Sequence, residues 1–477
     1  MPVLLSMLPP QLSSGGGLAV GVGVAIGAVG ATVIMRRPRG SPPDLHYAAA
    51  ELNRRLVESM PSLRKPYQAP ALLRNGHVET IWAAFFRKGL GIEYRREVVI
   101  MKDGGAVALD WPVGLPELPA DAPVVVLLPG LTGGSHDTYV QHAVGRLWRA
   151  GIRSVVFNSR GTSDSPVTTP QFYSASFTGD TREVVAHVAA AVHPDAPLMA
   201  AGWSLGANIL VRYLGEEGAR TPLTAAVSMC NPFDLVVADR NFNRGFNNIY
   251  NWNLAKALRK IFRKHAALFT EIGGEYQEMH AASAKTIRDF DDAITRVSFG
   301  WPSVDAYYAG SGSHLAIPDV SIPLLCIQAR DDPIAPEEAI PYDAIDRNPN
   351  CVLAVTPHGG HLGWVTTEGG LTGAPWTDNA VAEYFNAVLG AVPAKTRGGA
   401  AAEDGEAAGA PLSGRGGLAQ SDSDEVRKIM ELQGRLEALS KENFALRAEV
   451  LELSGGSAAD VAQAAASRGG SGSRDTS

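Results

Sequence analysis

The pentapeptide Gly202-Trp203-Ser204-Leu205-Gly206 is the one G-x-S-x-G in the chain, and its serine could attack a carbonyl carbon if a base took its proton. With 51 glycines in 477 residues such a match comes cheaply, so its flanks must decide. Before it runs a short apolar stretch, residues 196–201 (APLMAA). After it, ANILVRYLGEEG sets Ile209, Leu210, Tyr213 and Leu214 on one helical face, with Gly215 or Gly218 as the stop. Strand, tight turn and helix are what a nucleophile elbow requires. The glycines let strand and helix close up while the serine holds strained dihedrals at the helix N-terminus.

A serine on such a turn takes its acid and base from later strand ends, in the order Ser, Asp, His. Residues 322–329 (IPLLCIQA) read as a buried strand, with Asp331 and Asp332 in the turn at its end. Residues 351–355 (CVLAV) read as another, followed by a loop that carries His358 and His361. In open parallel sheets the ligand-facing groups lie beyond the carboxyl ends of the strands, where all these candidates fall. Asp332, last in its Ala-x-x-Asp turn, is expected to face inward while Asp331 caps the turn; Asp331 is the second choice for the acid. His361 follows two glycines that free its ring, whereas His358 follows a proline and is expected to support the loop. Residues 123–128 (PVVVLL) form an earlier strand, and the loop Pro129 to Ser135 leaves it. The backbone N–H groups of Leu131 and Leu205 would converge on a developing oxyanion, at roughly 3 kcal/mol per donor.

The elements that must position these residues belong to an α/β body over residues 41–392, with alternating apolar runs and helical patterns and no internal repeat. The composition, 45% hydrophobic and 7% aromatic, admits a large core. A net charge of -7 without a long basic run offers nucleic acid no footprint. Cys230, Cys326 and Cys351 are too far apart for a CxxC or a zinc-ligand spacing, so buried reduced thiols are expected, with neither metal nor cofactor. The segment 233–320, between a strand at 225–229 and the one at 322, is too long for a simple crossover and reads as a helical lid. Within it, residues 252–269 set Leu254, Leu258, Ile261, Phe262 and Leu268 against Lys256, Arg259, Lys260, Arg263 and Lys264. Such a basic amphipathic helix suits either an anionic membrane surface or a lid packed on the body.

Residues 1–40 read as a membrane anchor. No charge occurs before Arg36, and residues 15–35 as a helix cover roughly 30 Å. Arg36, Arg37 and Arg39 on the C-terminal side put the body in the cytosol by the positive-inside rule. Residues 393–422 read as a disordered linker rich in Ala, Gly and charge. Over 423–454, Ile429, Leu432, Leu436, Leu439, Leu446, Val450 and Leu453 alternate spacings of three and four, with Asn443 at an a position. That pattern favours a parallel two-stranded coiled coil, and hence a homodimer. Residues 455–477 read as a disordered tail.

The string Asn75-Gly-His-Val-Glu-Thr-Ile81, PGLTGGS with Tyr139, Asn158-Ser-Arg-Gly-Thr-Ser163, Tyr173 with Thr178-Gly-Asp180, GWSLGAN, Asn231-Pro-Phe-Asp234, Phe290-Asp291, Tyr307-Tyr308, ARDDP and GGHLGW resembles AB hydrolase family 4. That group includes membrane-anchored abhydrolase-domain lipid hydrolases, plant embryogenesis-associated hydrolases and yeast medium-chain alcohol acyltransferases. The resemblance covers about Ala69 to Val388. It implies an α/β-hydrolase fold, with a mostly parallel sheet and helices on both faces, and a triad of Ser204, Asp332 (or Asp331) and His361. An anchor before the body is common in the group. The expected activity is hydrolysis of carboxylic esters, lipid esters above all, through an acyl-enzyme. The alternatives are an acyltransferase using the same triad with an alcohol acceptor, and a non-catalytic membrane scaffold dimerised by its coiled coil.

Overall fold

The computed structural model describes residues 41–392 apart from 271, 368 and 369. The expected anchor, linker, coiled coil and tail lie outside the described residues, and among those described no helix is long and apolar enough to cross a membrane. Nine strands form one sheet: β1 (Asp44–His46), β2 (Glu93–Ile100), β3 (Ala106–Val113), β4 (Val124–Leu128), β5 (Arg153–Asn158), β6 (Leu198–Trp203), β7 (Ala225–Met229), β8 (Leu324–Ala329) and β9 (Cys351–Thr356). Their spatial order is β1-β9-β8-β7-β6-β4-β5-β3-β2. The six strands β4 to β9 are parallel, and the β2–β3 hairpin and β1 close the two edges antiparallel. The central strands are rich in Val, Leu, Ala and Ile, and β4 holds only Val and Leu, because both of their faces are covered.

On one face, α1 (Glu51–Ser59), α3 (Thr138–Arg149) and α9 (Trp376–Ala391) bury Leu56, Val140, Val144, Phe385 and Val388. On the other, α4 (Gly179–Ala191) and α5 (Leu205–Glu217) bury Val184, Val188, Leu210 and Leu214. A further helix, α2 (Gly76–Phe86), stands at the carboxyl edge of the sheet. The strand order reverses at β4, which has β5 on one side and β6 on the other. Loops leaving the carboxyl ends of β4 and β6 therefore diverge and leave a crevice between them, the place where such sheets hold ligands.

Between β7 and β8 the chain is helical throughout its main elements, including α6 (Leu235–Phe242), α7 (Asn248–Thr270) and α8 (Val304–Ser311). The lid has its own apolar cluster, in which Leu258, Phe262 and Phe269 of α7 meet Phe172 and Phe290. On the basic side of α7, Arg259 donates to the carbonyl of Ala284 at 2.7 Å, Arg263 to that of Ala282 at 3.1 Å, and Lys264 pairs with Asp164. Of the two readings of this helix, the structure takes the packed lid: the apolar face that would enter a bilayer is already filled.

The structure also sets the two boundaries around the elbow. Strand β6 runs to Trp203 rather than to 201, because the ladder to β7 continues through Gly202 and Trp203 up to the elbow. Helix α5 passes through Gly215, which lies against Ala316, and stops at Gly218, the other stop the sequence offered, whose φ of 55° and ψ of -127° suit a residue without a side chain.

The close packing at the elbow predicts a sharp sensitivity. A methyl group on Gly206 would overlap the carbonyl oxygens of Leu128 and Pro129, backbone atoms that cannot rotate away. At Gly91, with a φ of 65°, an added Cβ meets nothing within 4 Å. Gly206→Ala should lower stability by about 3 kcal/mol or more, and Gly91→Ala by about 1 kcal/mol, as read by urea unfolding. Equal losses would show that the close approach does not matter.

Candidate active site

Ser204 has φ 52° and ψ -120°, a conformation that side chains avoid. Its N–H donates to the carbonyl of Met229 at 2.9 Å, fixing the turn to the neighbouring strand β7. A Cβ on Gly202 would stand 2.7 Å from the carbonyl oxygen of Gly206 and 2.8 Å from the Cα of Ala207. The turn can be this sharp because neither flanking position carries a side chain.

The structure brings Ser204, His361 and Asp332 into one hydrogen-bonded line. His361 Nε2 is 3.0 Å from Ser204 Oγ, and its Nδ1 is 2.8 and 3.1 Å from the two oxygens of Asp332. An ionised carboxylate only accepts, so Nδ1 carries the proton and Nε2 offers its lone pair to the serine hydroxyl. Asp332 is itself held by the N–H groups of Ile334 and Ala335, each 2.8 Å from Oδ1. Asp331 points elsewhere: it accepts from Gly360 N–H at 3.0 Å and lies 3.1 Å from His358 Nδ1. Thus the second-choice acid and the second histidine pair with each other and hold the loop, while the other pair faces Ser204.

Leu131 and Leu205 both line the cavity beside Ser204. The loop around Leu131 is pinned by two tyrosines, since Gly130 N–H donates to Tyr139 Oη at 3.0 Å and Thr132 N–H to Tyr173 Oη at 2.8 Å. Gly133 N–H turns back to the carbonyl of Gly130. Among the described residues, the N–H groups of Leu131 and Leu205 have no protein acceptor. Two free donors beside a nucleophile are what an oxyanion would need.

Helix α2 supplies support to which sequence reasoning gave no role. Thr80 Oγ1 accepts the His361 N–H at 2.8 Å and donates to the carbonyl of Gly76 at 2.6 Å. Next to it, Glu79 accepts from Val365 N–H at 2.7 Å and from the Tyr67 hydroxyl. Both residues stand in the Asn75–Ile81 string and Tyr139 and Tyr173 among the other motifs. Only position marked them, because the loop N–H groups they hold lie from nine to 286 residues away in the chain.

A cavity of about 560 Å³ opens on Ser204 and His361. Its wall is mostly apolar, with Ile81 from α2, Leu235 from α6, and Leu254 and Leu258 from α7, and a few polar groups such as Asn253 and Asp291. The volume suits a small-molecule site. Burial pushes the Asp291 carboxyl up to about 6 although Tyr308 Oη donates to it at 2.9 Å.

Burial likewise pushes Glu79 up to about 8 from an ordinary 4.5, against its hydrogen bonds from Tyr67 and Val365. Because the folded value lies above the unfolded one, this group's contribution to stability is complete below about 4.5 and is lost as pH rises through 8. Between pH 6 and pH 8, the wild type should lose about 1–3 kcal/mol of unfolding free energy relative to Glu79→Gln. Parallel pH profiles in urea would show that Glu79 is ionised in the fold.

Residues 123–366 match the family model described as alpha/beta hydrolase fold. The chain is 54% identical over 342 residues to the embryogenesis-associated protein EMB8 of Picea glauca, spanning 70% of this chain and 75% of that one. It is 34% identical over 328 residues to the phospholipase ABHD3 of Mus musculus, spanning 68% and 79%. It is 30% identical over 343 residues to a monoacylglycerol lipase of Saccharomyces cerevisiae, spanning 63% and 76%. Sheet order, elbow and matched residues agree: the chain belongs to the α/β-hydrolase family.

Proposed function

We propose that the protein is a membrane-anchored serine hydrolase that cleaves carboxylic esters of lipids through an acyl-enzyme, with Ser204, His361 and Asp332 as its triad. The observation that carries this is the unbroken line from Ser204 Oγ through His361 to Asp332, opening into a mostly apolar cavity. The names of the phospholipase and monoacylglycerol lipase relatives support the lipid substrate class. Arg36, Arg37 and Arg39 after the apolar segment support an anchor with the body on the cytosolic side. The heptads at 423–454 would join two such chains.

In the first half-reaction His361 Nε2 takes the proton of Ser204 as Oγ attacks the ester carbonyl. The N–H groups of Leu131 and Leu205 receive the oxyanion, and Asp332 stabilises the imidazolium. His361 then protonates the departing alcohol, and the acyl group remains on Ser204. In the second half-reaction His361 takes a proton from water, hydroxide adds to the acyl carbon, and the acid leaves as Ser204 regains its proton. The apolar wall binds the acyl chain, which brings no charge to compete for the few polar groups there.

A fluorophosphonate probe should label the wild type and leave Ser204→Ala unlabelled; equal labelling of both ends the claim. Asp332→Asn should lower kcat by about 10⁴-fold by stabilising the wrong histidine tautomer. Asp331→Asn should cost less than about tenfold, through loosening of the loop. Reversed magnitudes would exchange the roles of the two aspartates. Supplying ethanol during turnover of a medium-chain ester tests the deacylating nucleophile: free acid supports the hydrolase, and ethyl ester as the main product replaces it with an acyl transfer.

A further inference from the structure

One face of α2 is apolar and uncovered. Val78, Trp82 and Phe86 recur every fourth residue, which places them in one stripe. Val78 is 43% and Phe86 47% exposed, and the Trp82 and Phe86 rings stack at 4.4 Å. The stripe continues on both sides. Trp82 Nε1 donates to the carbonyl of Leu371, itself an exposed residue, and His77 lies edge-on at 5.0 Å to Phe246, which is 49% exposed at the start of the lid. Trp252 follows on α7, with Lys256 over its ring at 5.2 Å. The cavity is walled by the same two elements, since Ile81, Ala84 and Phe85 of α2 and Ile249 and Tyr250 of α7 line it.

The exposed charges on the stretches around α2 and the early lid are cationic. Arg74, Lys88, Arg244 and Lys256 are exposed there, and across residues 71–90 and 244–256 the one acidic residue is Glu79, which is buried. A contiguous apolar stripe fringed by cations fits a lipid surface with anionic headgroups.

Where the chain enters the body points the same way. Strand β1 runs antiparallel to β9 with Asp44 opposite Val355, so its first residue lies at the carboxyl end of β9, the edge that carries the site. Asp44 pairs with Arg330 at 2.5 Å, and Gly76, the first residue of α2, packs against the carbonyl of Asp331. Only residues 36–43 separate Asp44 from the apolar segment 15–35, and eight residues reach at most about 28 Å. An anchor on so short a tether holds the bilayer against this edge of the sheet and no other.

We propose that the rim formed by Val78, Trp82, Phe86, Phe246 and Trp252 is the surface by which the body rests in the bilayer, so that the cavity mouth opens directly into the lipid. The inference rests on the anchored reading given above and adds the orientation. An ester lipid would then pass laterally from the membrane between α2 and the start of α7, without crossing water.

The test uses the full chain in vesicles of about four parts phosphatidylcholine to one of phosphatidylserine. Cys230, Cys326 and Cys351 are buried, so a cysteine placed at Phe86→Cys, or at Glu117→Cys in the loop before β4 on the opposite edge, takes an environment-sensitive label selectively. The label at 86 should be quenched by iodide about tenfold less than the label at 117. Equal quenching overturns the proposal. So does shielding at 86 that vanishes with a single chain per vesicle, because a second copy would then be the cover. In parallel, Val78→Glu/Phe86→Glu should keep hydrolysis of a short soluble ester while losing about tenfold on a vesicle-embedded ester; equal losses on both also overturn it. Fluorophosphonate labelling on the same vesicles separates the two claims. A shielded position 86 with no labelling at Ser204 sinks the hydrolase and leaves the surface; free quenching with intact labelling sinks the surface alone.

Discussion

The backbone of Ser204 is the constraint on which the rest of the site depends. Its φ of 52° and ψ of -120° cost on the order of 1–3 kcal/mol in a residue with a side chain. The surroundings must over-determine that conformation, and they do so from both ends. Its N–H is held by Met229, its carbonyl accepts from Asn208 N–H at 3.0 Å, and the two glycines let α5 sit directly on the ends of β4 and β6. The same packing aims the Leu205 N–H and the serine hydroxyl at the crevice where the strand order reverses.

A second set of contacts places the histidine. His361 sits in a loop with two consecutive glycines in front of it, at φ 149° and 54°, and such a loop has no single geometry of its own. Asp331 ties it down at Gly360 and His358, Thr80 holds the His361 N–H, and Glu79 holds Val365 just beyond. Adjacent aspartates thus divide the work: one orders the loop and the other faces the imidazole. Helix α2 is the strut between them, and Gly76 lets its first turn meet the carbonyl of Asp331 without a side chain between.

The lid completes the enclosure. Its helix α7 has two apolar surfaces, one, with Phe262 and Phe269, buried against Phe172 and Phe290 and one, with Leu254 and Ile261, facing the cavity. This is why its hydrophobic pattern resembled that of a membrane-surface helix although its arginines are spent on the carbonyls of Ala282 and Ala284. The apolar residues left uncovered lie instead on α2 and at the start of the lid, on the same elements that wall the cavity.

By itself the sequence determined the parallel α/β architecture, the elbow at Ser204, and the strand ends from which an acid and a base must come. Those features are local: runs of Val and Leu, glycines two residues either side of the serine, and the order of the motifs along the chain. Only the tertiary structure decided that Asp332 faces His361 while Asp331 faces His358, because adjacent residues in one turn differ there only in direction. It alone revealed Thr80 and Glu79 as supports of the histidine loop, across separations of 281 and 286 residues. It also decided which apolar faces are buried and which stay open. A hydrophobic periodicity records that a face avoids water, but what covers that face depends on neighbours distant in the chain, and these meet only when it folds.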